Sequence, residues 1–471
     1  MNGRRQAPPD STGGLLAGID VGTTNTKVGM YTPTGIPVAQ RKRPTPVDAD
    51  DIVADALRDL GSCMEQAGAP PIAVGITGMA EGGVGLDAEL RPLHRFLRWS
   101  QPPAVDEARW LAHHVGAAAL WRTTGVNLAA KTPLATWLWL RGNRPDTVAR
   151  MRVWVGAADL VATALCGRPL TDQTLAGRSG AFDQLSGRYD EDLLSLAGIR
   201  IAQLPEVDPV GSATDGLLPG GTPVVVTGHD HLVAAYAAGA RGHGDVADSM
   251  GTAEAVVTVT DQPCDASVSG SGSSWNRHVD GRHWVMVSGF PGSGQLVDWT
   301  SALLANPEVD RRPGYLADPT TARPTGIIVL PYLYGRAAPA PQGDLRLSVH
   351  GLTADTGPAD IAVAVLEGAC YQARWMAETH ASHGNAALDS VYVLGGPTRN
   401  RTWMAIKADV MPCPIRLIRT AEAACAGAAL LAGRAIGLCT PVLDADEPAR
   451  DGDRAQRYEA LYRGSFLPKV T

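Results

Sequence analysis

The sequence predicts an α/β fold built from two related domains. Its 471 residues are too many for one ordinary hydrophobic core, and two or three domains are expected from length alone. Short strand-like runs alternate with helix-like segments along the chain, which favours a mixed α/β architecture. A strand, a tight Gly-Thr turn and a second strand also occur twice, near residue 22 and again near residue 251. That recurrence suggests two domains that begin in the same way.

The first half opens with a predicted antiparallel meander. The runs LLAGID, TKVGMY and GIPVAQRKR are strand-like and are separated by the turn sequences VGTTN and TPTG. After them, DDIVADALRDLGSCMEQ has helical spacing of its apolar residues and acids in its first turn. The segments that follow alternate between the two periodicities: strand 72–78, helix 134–142 and strand 222–228.

The second half repeats this order. Residues 246–260 predict a strand, a turn and a strand, and the later segments predict helix 361–381, strand 390–396, strand 414–420 and helix 423–433. The glycine-rich AGARGHGD, residues 238–245, is the predicted hinge. The predicted divisions are a disordered tail over 1–14, domains over 15–240 and 241–438, and an extension over 439–471.

Composition excludes several classes of function. The formal net charge is −7, from 41 basic and 48 acidic residues, and no basic run stands out, so we expect no nucleic-acid partner. No apolar run approaches the ~20 residues that span a bilayer, so we expect no membrane association. The seven cysteines contain no CxxC pair, which predicts reduced thiols and a cytoplasmic location.

The stretch GIDVGTTNTK, residues 18–27, has the groups that hold phosphates. Gly22 lets the backbone come close to a ligand, Asp20 at a strand end could hold Mg²⁺ through water, and hydroxyls come from Thr23, Thr24 and Thr26. There is no GxxxxGK[ST], which excludes a P-loop. A hairpin turn stabilised by local threonine bonds is the alternative. The second hairpin, at Gly251 and Thr252, favours a phosphate clamp made by the pair.

A carboxylate follows directly after the predicted strand 222–228. Asp230 lies where α/β proteins place catalytic groups, and it could accept a proton from a hydroxyl that attacks phosphorus. Helix capping by the same side chain is the alternative and is compatible with catalysis. His229 and His231 share a face in an extended segment, but the sequence identifies no third ligand for a transition metal.

Several segments together carry a family resemblance. IDVGTTNTK, GHDH, DSMGTAEA and LGGPTRNRTWMAIKADVMPCPIRLIRT, in that order, resemble the FGGY carbohydrate kinases of the actin-like ATPase superfamily, from about Leu15 to Gly437. The resemblance implies two ribonuclease-H-like domains that close on an inter-domain catalytic cleft. It implies ATP-dependent transfer of the γ-phosphate to a hydroxyl, preferably primary, of a sugar, sugar alcohol or cyclitol. It also implies a homodimer and a closing helix near Tyr458 and Tyr462.

The resemblance also assigns roles to residues. Asp230 becomes the catalytic base, and Asp20 and Asp230 become the Mg²⁺ ligands. The first domain supplies substrate binding and the base, and the second binds the nucleotide. The nucleotide-binding set is Asp20, Gly22, Thr23, Thr24, Lys27, Gly251, Thr252, Gly395, Gly396 and Asn400, with Gly395 and Gly396 in the adenosine motif and Asn400 near the base.

The acceptor side departs from the family pattern. Many members carry W-x-D-x-R, whereas RWSQPP offers Trp99, then Gln101 in place of the acid and Pro103 in place of the arginine. The predicted substrate residues are Met79, Glu81, Trp99, Gln101, His229 and Asp230. Exchange of an acid for an amide should change which polyol is selected. Core packing is the alternative for Trp99.

Two other functions stay open at this point. An actin-like ATPase without a small acceptor would share the hairpins but would need no base. A sugar-sensing protein without transfer activity would fit the altered RWSQPP segment, although Asp20 and Asp230 are both present.

Overall fold

The computed structural model describes residues 14–209, 211–218, 220–265, 268–304 and 323–471. The predicted tail lies outside this part of the chain except for Gly14.

Strands and helices alternate along the described chain, as expected. The strands are β1 Leu15–Val21, β2 Asn25–Tyr31, β3 Pro37–Pro44, β4 Pro71–Gly78, β5 Val84–Leu86, β6 Val153–Val155, β7 Leu170–Asp172, β8 Phe182–Asp183, β9 Arg188–Tyr189, β10 Glu206–Asp208, β11 Val224–His229, β12 Val246–Met250, β13 Glu254–Thr260, β14 Ser274–Arg277, β15 Trp284–Phe290, β16 Ile328–Leu330, β17 Ser348–His350, β18 Val391–Leu394, β19 Ile415–Ile418 and β20 Ala445–Asp446. The α-helices are α1 Ala49–Ala67, α2 Val105–Leu111, α3 Ala117–Thr124, α4 Pro133–Asn143, α5 Pro145–Arg150, α6 Ala157–Cys166, α7 Gln173–Ala176, α8 Glu191–Ala197, α9 Asp230–Ala238, α10 Ser293–Leu304, α11 Pro358–His383, α12 Arg401–Val410, α13 Ala423–Ala435, α14 Gly452–Leu461 and α15 Leu467–Val470.

The two large sheets have the same core topology. The first has the order β11-β4-β1-β2-β3, in which β1, β2 and β3 form the predicted antiparallel meander and β4 and β11 join in parallel. The second has the order β14-β15-β13-β12-β18-β19-β20, in which β12, β13 and β15 repeat the meander and β18 and β19 repeat the parallel pair. This duplication confirms the prediction of two similar domains.

Two helices of small residues pack between the sheets. α9 follows the last strand of the first sheet, and α13 comes from the second half of the chain, yet both share one hydrophobic cluster with residues of both sheets. α13 lies directly on β1 and β4, where a Cβ on Gly18 or Gly75 would come within 2.0 or 1.9 Å of a helix carbonyl oxygen. Close contact of helix and sheet therefore depends on glycine at both strand positions.

The segment after residue 438 completes the second domain. β20 pairs with β19 at the edge of the sheet, and Tyr458, Tyr462 and Phe466 are buried in the same core cluster as Tyr371 of α11. Across the described residues, none of the helices combines the length and the apolar character needed to cross a bilayer.

Candidate active site

The first hairpin presents a buried acid at the end of β1. Asp20 faces Lys27 across the β1–β2 register, and Lys27 Nζ lies 2.8 Å from Asp20 Oδ2. Asp20 Oδ1 is buried and has no hydrogen-bond partner among the described residues. Burial raises the pKa of Asp20 to about 6 even though Lys27 lowers it, and the charge of Asp20 raises the pKa of Lys27 against the effect of burial. The pair therefore offers one free carboxylate oxygen and a fixed cation.

The turn itself is shaped by Gly22. A Cβ there would lie 2.9 Å from the carbonyl oxygen of Asn25 and 3.3 Å from Lys27 Nζ, so only glycine fits without displacement of its neighbours. Thr24 is exposed and Thr23 is half-buried. The prediction that Thr26 offers a hydroxyl to phosphate is wrong, because its Oγ1 is buried and bonds Thr45 Oγ1 at 3.0 Å.

Asp230 is the first residue of α9. The turn before it needs Gly228, which has φ 118° and whose Cβ would lie 2.6 Å from Thr174 Oγ1. Asp230 Oδ1 accepts from the backbone N–H of His231 at 2.7 Å, but the N-cap residue of α9 is His229, so the prediction that Asp230 is the N-cap is wrong. Asp230 also contributes to the raised pKa values of Asp20 and Lys27, which places it within electrostatic range of the first hairpin. The structure therefore brings the two predicted acids together.

His229, Asp230 and His231 form a compact group. One potential ligand atom from each lies within 4.8 Å of the others, and His229 Nε2 is 3.3 Å from Asp230 Oδ1. The sequence identifies no third ligand for the histidine pair, and in the structure the carboxylate of Asp230 is the group that lies within reach of both imidazoles. Burial lowers the pKa of His229 to about 3, so its imidazole is neutral at physiological pH.

Glu81 is the centre of a charged group beside His229. Its backbone is left-handed (φ 70°), which is costly for a side chain of this size, and the carboxylate is buried. Lys131 Nζ lies 2.6 Å from one carboxylate oxygen, and Arg178 forms an ion pair with the other. Although burial opposes ionisation, these two cations lower the pKa of Glu81 to about 2. Lys131 and Arg178 were not predicted, because no local pattern connects them with Glu81.

Trp99 connects this group to the first hairpin. Its indole N–H donates to Thr23 Oγ1 at 2.6 Å, and Thr23 Oγ1 also contacts the sulfur of the buried Met79 at 3.5 Å. Lys131 Nζ lies 5.4 Å from the centroid of the Trp99 ring. Trp99 is 37% exposed, so the core-packing alternative is wrong. Gln101 is exposed, and none of its described side-chain contacts reaches these residues.

Glu81→Gln is expected to remove a pH-dependent part of the stability. The pKa of Glu81 is lowered from 4.5 to about 2 in the folded state. The contribution of ionised Glu81 to the free energy of unfolding is therefore complete above pH 4.5 and is lost as the pH falls through about 2. The free energy of unfolding of the wild type should exceed that of the variant by about 3 kcal/mol at pH 6, and by less than half of that at pH 3.

Urea unfolding at the two pH values tests this expectation. Glu206→Gln is the matched control, because Glu206 makes a 2.9 Å ion pair with Arg168 but is exposed. The control should show no such pH dependence. A difference between wild type and Glu81→Gln that does not change between pH 6 and pH 3 would show that the two cations do not hold Glu81 ionised.

The second hairpin lies between β12 and β13. The backbone N–H of Gly251 donates to the carbonyl oxygen of Ala253 at 2.8 Å, and Thr252 is exposed at the tip. At the start of α10, the N–H groups of Gly294 and Gln295 donate to the carbonyl oxygens of Gly251 and Thr252 at 3.1 and 3.0 Å. The hairpin is thus held in place from α10, with the threonine side chain left free.

The predicted adenosine segment lies against this hairpin. Gly395 has φ 106°, and a Cβ on it would lie 1.9 Å from the carbonyl oxygen of Met250, the last residue of β12. Gly396 faces open space, because a Cβ on it would have no atom within 4 Å. Asn400 caps α12 by accepting from the N–H of Trp403 at 3.0 Å, so its amide nitrogen is the group left to contact a base.

The duplicated sheets and the hairpins that carry Asp20 and Gly251 define an actin-like phosphotransferase fold. Comparison with known families gives the group: residues 15–237 match the N-terminal domain and residues 246–436 the C-terminal domain of the FGGY family of carbohydrate kinases. The chain belongs to this family. It is an ATP-dependent carbohydrate kinase, a phosphotransferase with an alcohol group as acceptor.

Individual relatives are distant but cover almost the whole chain. A gluconokinase from Bacillus licheniformis is 22% identical over 90% of this chain and 88% of its own. A xylulose kinase from Streptomyces rubiginosus is 27% identical over 91% and 89%. The solved structure of xylulose kinase from Rhodospirillum rubrum superposes with a TM-score of 0.88 at 24% identity, covering 97% of this chain and 98% of that one. These likenesses confirm the predicted two-domain fold.

Proposed function

We propose that the chain transfers the γ-phosphate of Mg·ATP to a hydroxyl of a small polyhydroxylated acceptor, with Asp230 as the general base. The observation that carries this proposal is the nearness of Asp230 to two groups. Its charge acts on the Asp20–Lys27 pair of the first hairpin. Its Oδ1 also lies 3.3 Å from Nε2 of His229, whose imidazole is affected by the charges of the Glu81 group. Phosphate and acceptor sites would therefore meet at the carboxylate.

Each group then has a chemical task. Asp230 would accept the proton of the acceptor hydroxyl as its oxygen attacks the γ-phosphorus and ADP leaves. Lys27 and the backbone of both hairpins would stabilise the charge that develops on the phosphate oxygens. The neutral imidazole of His229 could bond an acceptor hydroxyl through Nδ1, which has no partner among the described residues.

The donor set at Asp20 fits Mg²⁺. Its buried Oδ1 has no described partner, and oxygen ligands with water are what this ion prefers. Asp20 would hold the ion, with Asp230 beside it, and the ion would neutralise charge on the β- and γ-phosphates.

The acceptor would contact Glu81, Trp99 and His229. Glu81 can accept from sugar hydroxyls, while Lys131 next to it is partly exposed and can donate to an oxygen-rich acceptor. Relatives that bear the names gluconokinase, xylulose kinase and glycerol kinase support a search among sugar acids, ketoses and polyols. Gln101 occupies the position of the family acid and is exposed. A movement of its side chain towards the acceptor would be needed for it to change which acceptor is selected.

A panel assay of ADP release tests the proposal. Wild-type protein with Mg·ATP is assayed against pentuloses, hexuloses, alditols, cyclitols and aldonates, with a no-acceptor blank. One acceptor should raise ADP release well above the blank. Equal ADP release in every sample, including the blank, would favour an ATPase without a small acceptor. No ADP release at all, with ATP still bound, would favour a sugar sensor.

A further inference from the structure

A buried network of charged side chains lies beneath the second hairpin. It consists of Asp248 on β12, Glu254 on β13, Lys407 on α12 and Ser293 at the start of α10, all at most 2% exposed. Lys407 Nζ lies 2.9 Å from Glu254 Oε1 and also contacts Asp248 Oδ2. Ser293 Oγ donates to Glu254 Oε2 at 2.5 Å. Four separate elements are therefore joined through two carboxylates.

Stability alone does not account for such a network. Burial and the neighbouring Glu254 raise the pKa of Asp248 well above its ordinary value. Burial also opposes ionisation of Glu254, but the charge of Lys407 together with hydrogen bonds from Asp248, Lys407 and Ser293 lowers its pKa. Removing charges from water is costly, and well-packed apolar side chains of similar volume are commonly as stable or more so. What charged groups add is a defined geometry, because their bonds are directional.

The network is attached to the hairpin on both strands. Asp248 precedes the turn by three positions on β12, and Glu254 is the first residue of β13. Ser293 is followed directly by the two residues whose N–H groups hold the carbonyl oxygens of Gly251 and Thr252. A shift of Ser293 or Glu254 would therefore move the hairpin tip.

The same network is attached to the predicted adenosine segment. Lys407 lies about two helical turns after Asn400, the residue that caps α12. Gly395, at the other end of the segment, rests on the carbonyl oxygen of Met250. Lys407 thus connects the helix that leaves the adenosine segment with both strands of the phosphate hairpin.

We propose that Lys407, with Asp248, Glu254 and Ser293, positions the Gly251–Thr252 hairpin relative to the 395–400 segment so that both contact one nucleotide. This inference rests on the proposed function of those two segments in binding ATP. Lys407 is a positioning residue: it is fully buried and would act on the nucleotide only through the backbone that it holds.

Two variants test the inference on the full chain. Ser293→Ala removes one bond to Glu254 and leaves the contacts of Lys407 with Asp248 and Glu254 in place, while Lys407→Met removes the shared cation. Binding of Mg·ADP is measured by titration calorimetry, and KM for ATP and for the best acceptor of the panel is measured in the coupled assay. Ser293→Ala should raise both the Kd for Mg·ADP and the KM for ATP about three-fold. Lys407→Met should raise both constants about ten-fold, and a ten-fold change in Kd corresponds to about 1.4 kcal/mol of binding free energy. KM for the acceptor should not change.

Thr325→Val is the matched control. Thr325 Oγ1 donates to the buried Glu367 at 2.5 Å in the same domain, and its described contacts do not include the hairpin or the adenosine segment. It should leave Kd and both KM values unchanged. Thermal unfolding checks that each variant is folded. If Lys407→Met does not fold, the result for Ser293→Ala decides whether the inference holds.

The inference is overturned if folded Ser293→Ala binds Mg·ADP as tightly as the wild type, or if KM for the acceptor rises as much as KM for ATP. Failure of the proposed function gives a different result, because the wild type itself would then show no acceptor-dependent ADP release.

Discussion

Asp230→Asn is expected to lower kcat for acceptor phosphorylation by about 10³-fold, the middle of the range for loss of a general base. An amide cannot accept the proton of the attacking hydroxyl, but it has nearly the same shape and can still accept from the N–H of His231. KM for ATP should therefore change less than three-fold. Initial rates of ADP release with the best acceptor measure both constants.

Asp190→Asn is the matched control for Asp230. Asp190 also lies at the start of a helix in the first half of the chain, where it caps α8 by accepting from the N–H of Leu193 at 3.0 Å. The same loss of charge at that helix start should leave kcat unchanged. If Asp230→Asn keeps more than a tenth of wild-type kcat, Asp230 is not the base and serves the start of α9 alone.

Asp20→Asn is expected to lower kcat by about 10²-fold and to raise the Mg²⁺ concentration needed for half-maximal activity. The carboxylate offers a buried oxygen without a described partner, and replacement by an amide removes half of the Asp20–Lys27 ion pair and the charge that attracts the cation. Activity titrated with Mg²⁺ at fixed ATP separates the two effects.

Glu367→Gln tests whether loss of any buried carboxyl group has this result. Burial raises the pKa of Glu367 to about 8, and the side chain bonds Thr325 and Tyr458 in the second domain. Its Mg²⁺ dependence should match the wild type. An unchanged Mg²⁺ titration for Asp20→Asn would mean that Asp20 only pairs with Lys27.

Much of the fold follows from local patterns in the chain. Apolar runs bounded by turn residues gave β1, β4 and β11, and helical spacing gave α1 and α11, because these elements bury continuous or one-sided apolar surfaces. The repeated Gly-Thr turn indicated the duplicated domain. Asp20 and Asp230 could be chosen because each lies at the carboxyl end of a buried strand, where side chains reach a shared edge of the sheet.

The charged group around Glu81 could not be derived in this way. Glu81, Lys131 and Arg178 come from three separate loops and meet only because the fold brings them together. The network around Lys407 has the same origin, since a lysine in the last turn of α12 looks like a surface residue until its partners are known. Thr26 was misassigned because its hydroxyl bonds Thr45, which follows the end of the neighbouring strand β3. Which way the Thr26 side chain points depends on this partner.

The most direct test of the central claim follows the phosphate itself. Wild-type protein and Asp230→Asn are incubated with γ-labelled Mg·ATP and the best acceptor of the panel, and label is measured in the acceptor and in free phosphate. We expect the wild type to place the label on the acceptor, and Asp230→Asn almost to abolish this transfer. Label released only as free phosphate, at equal rates in both proteins, would contradict phosphotransfer to an acceptor with Asp230 as its base.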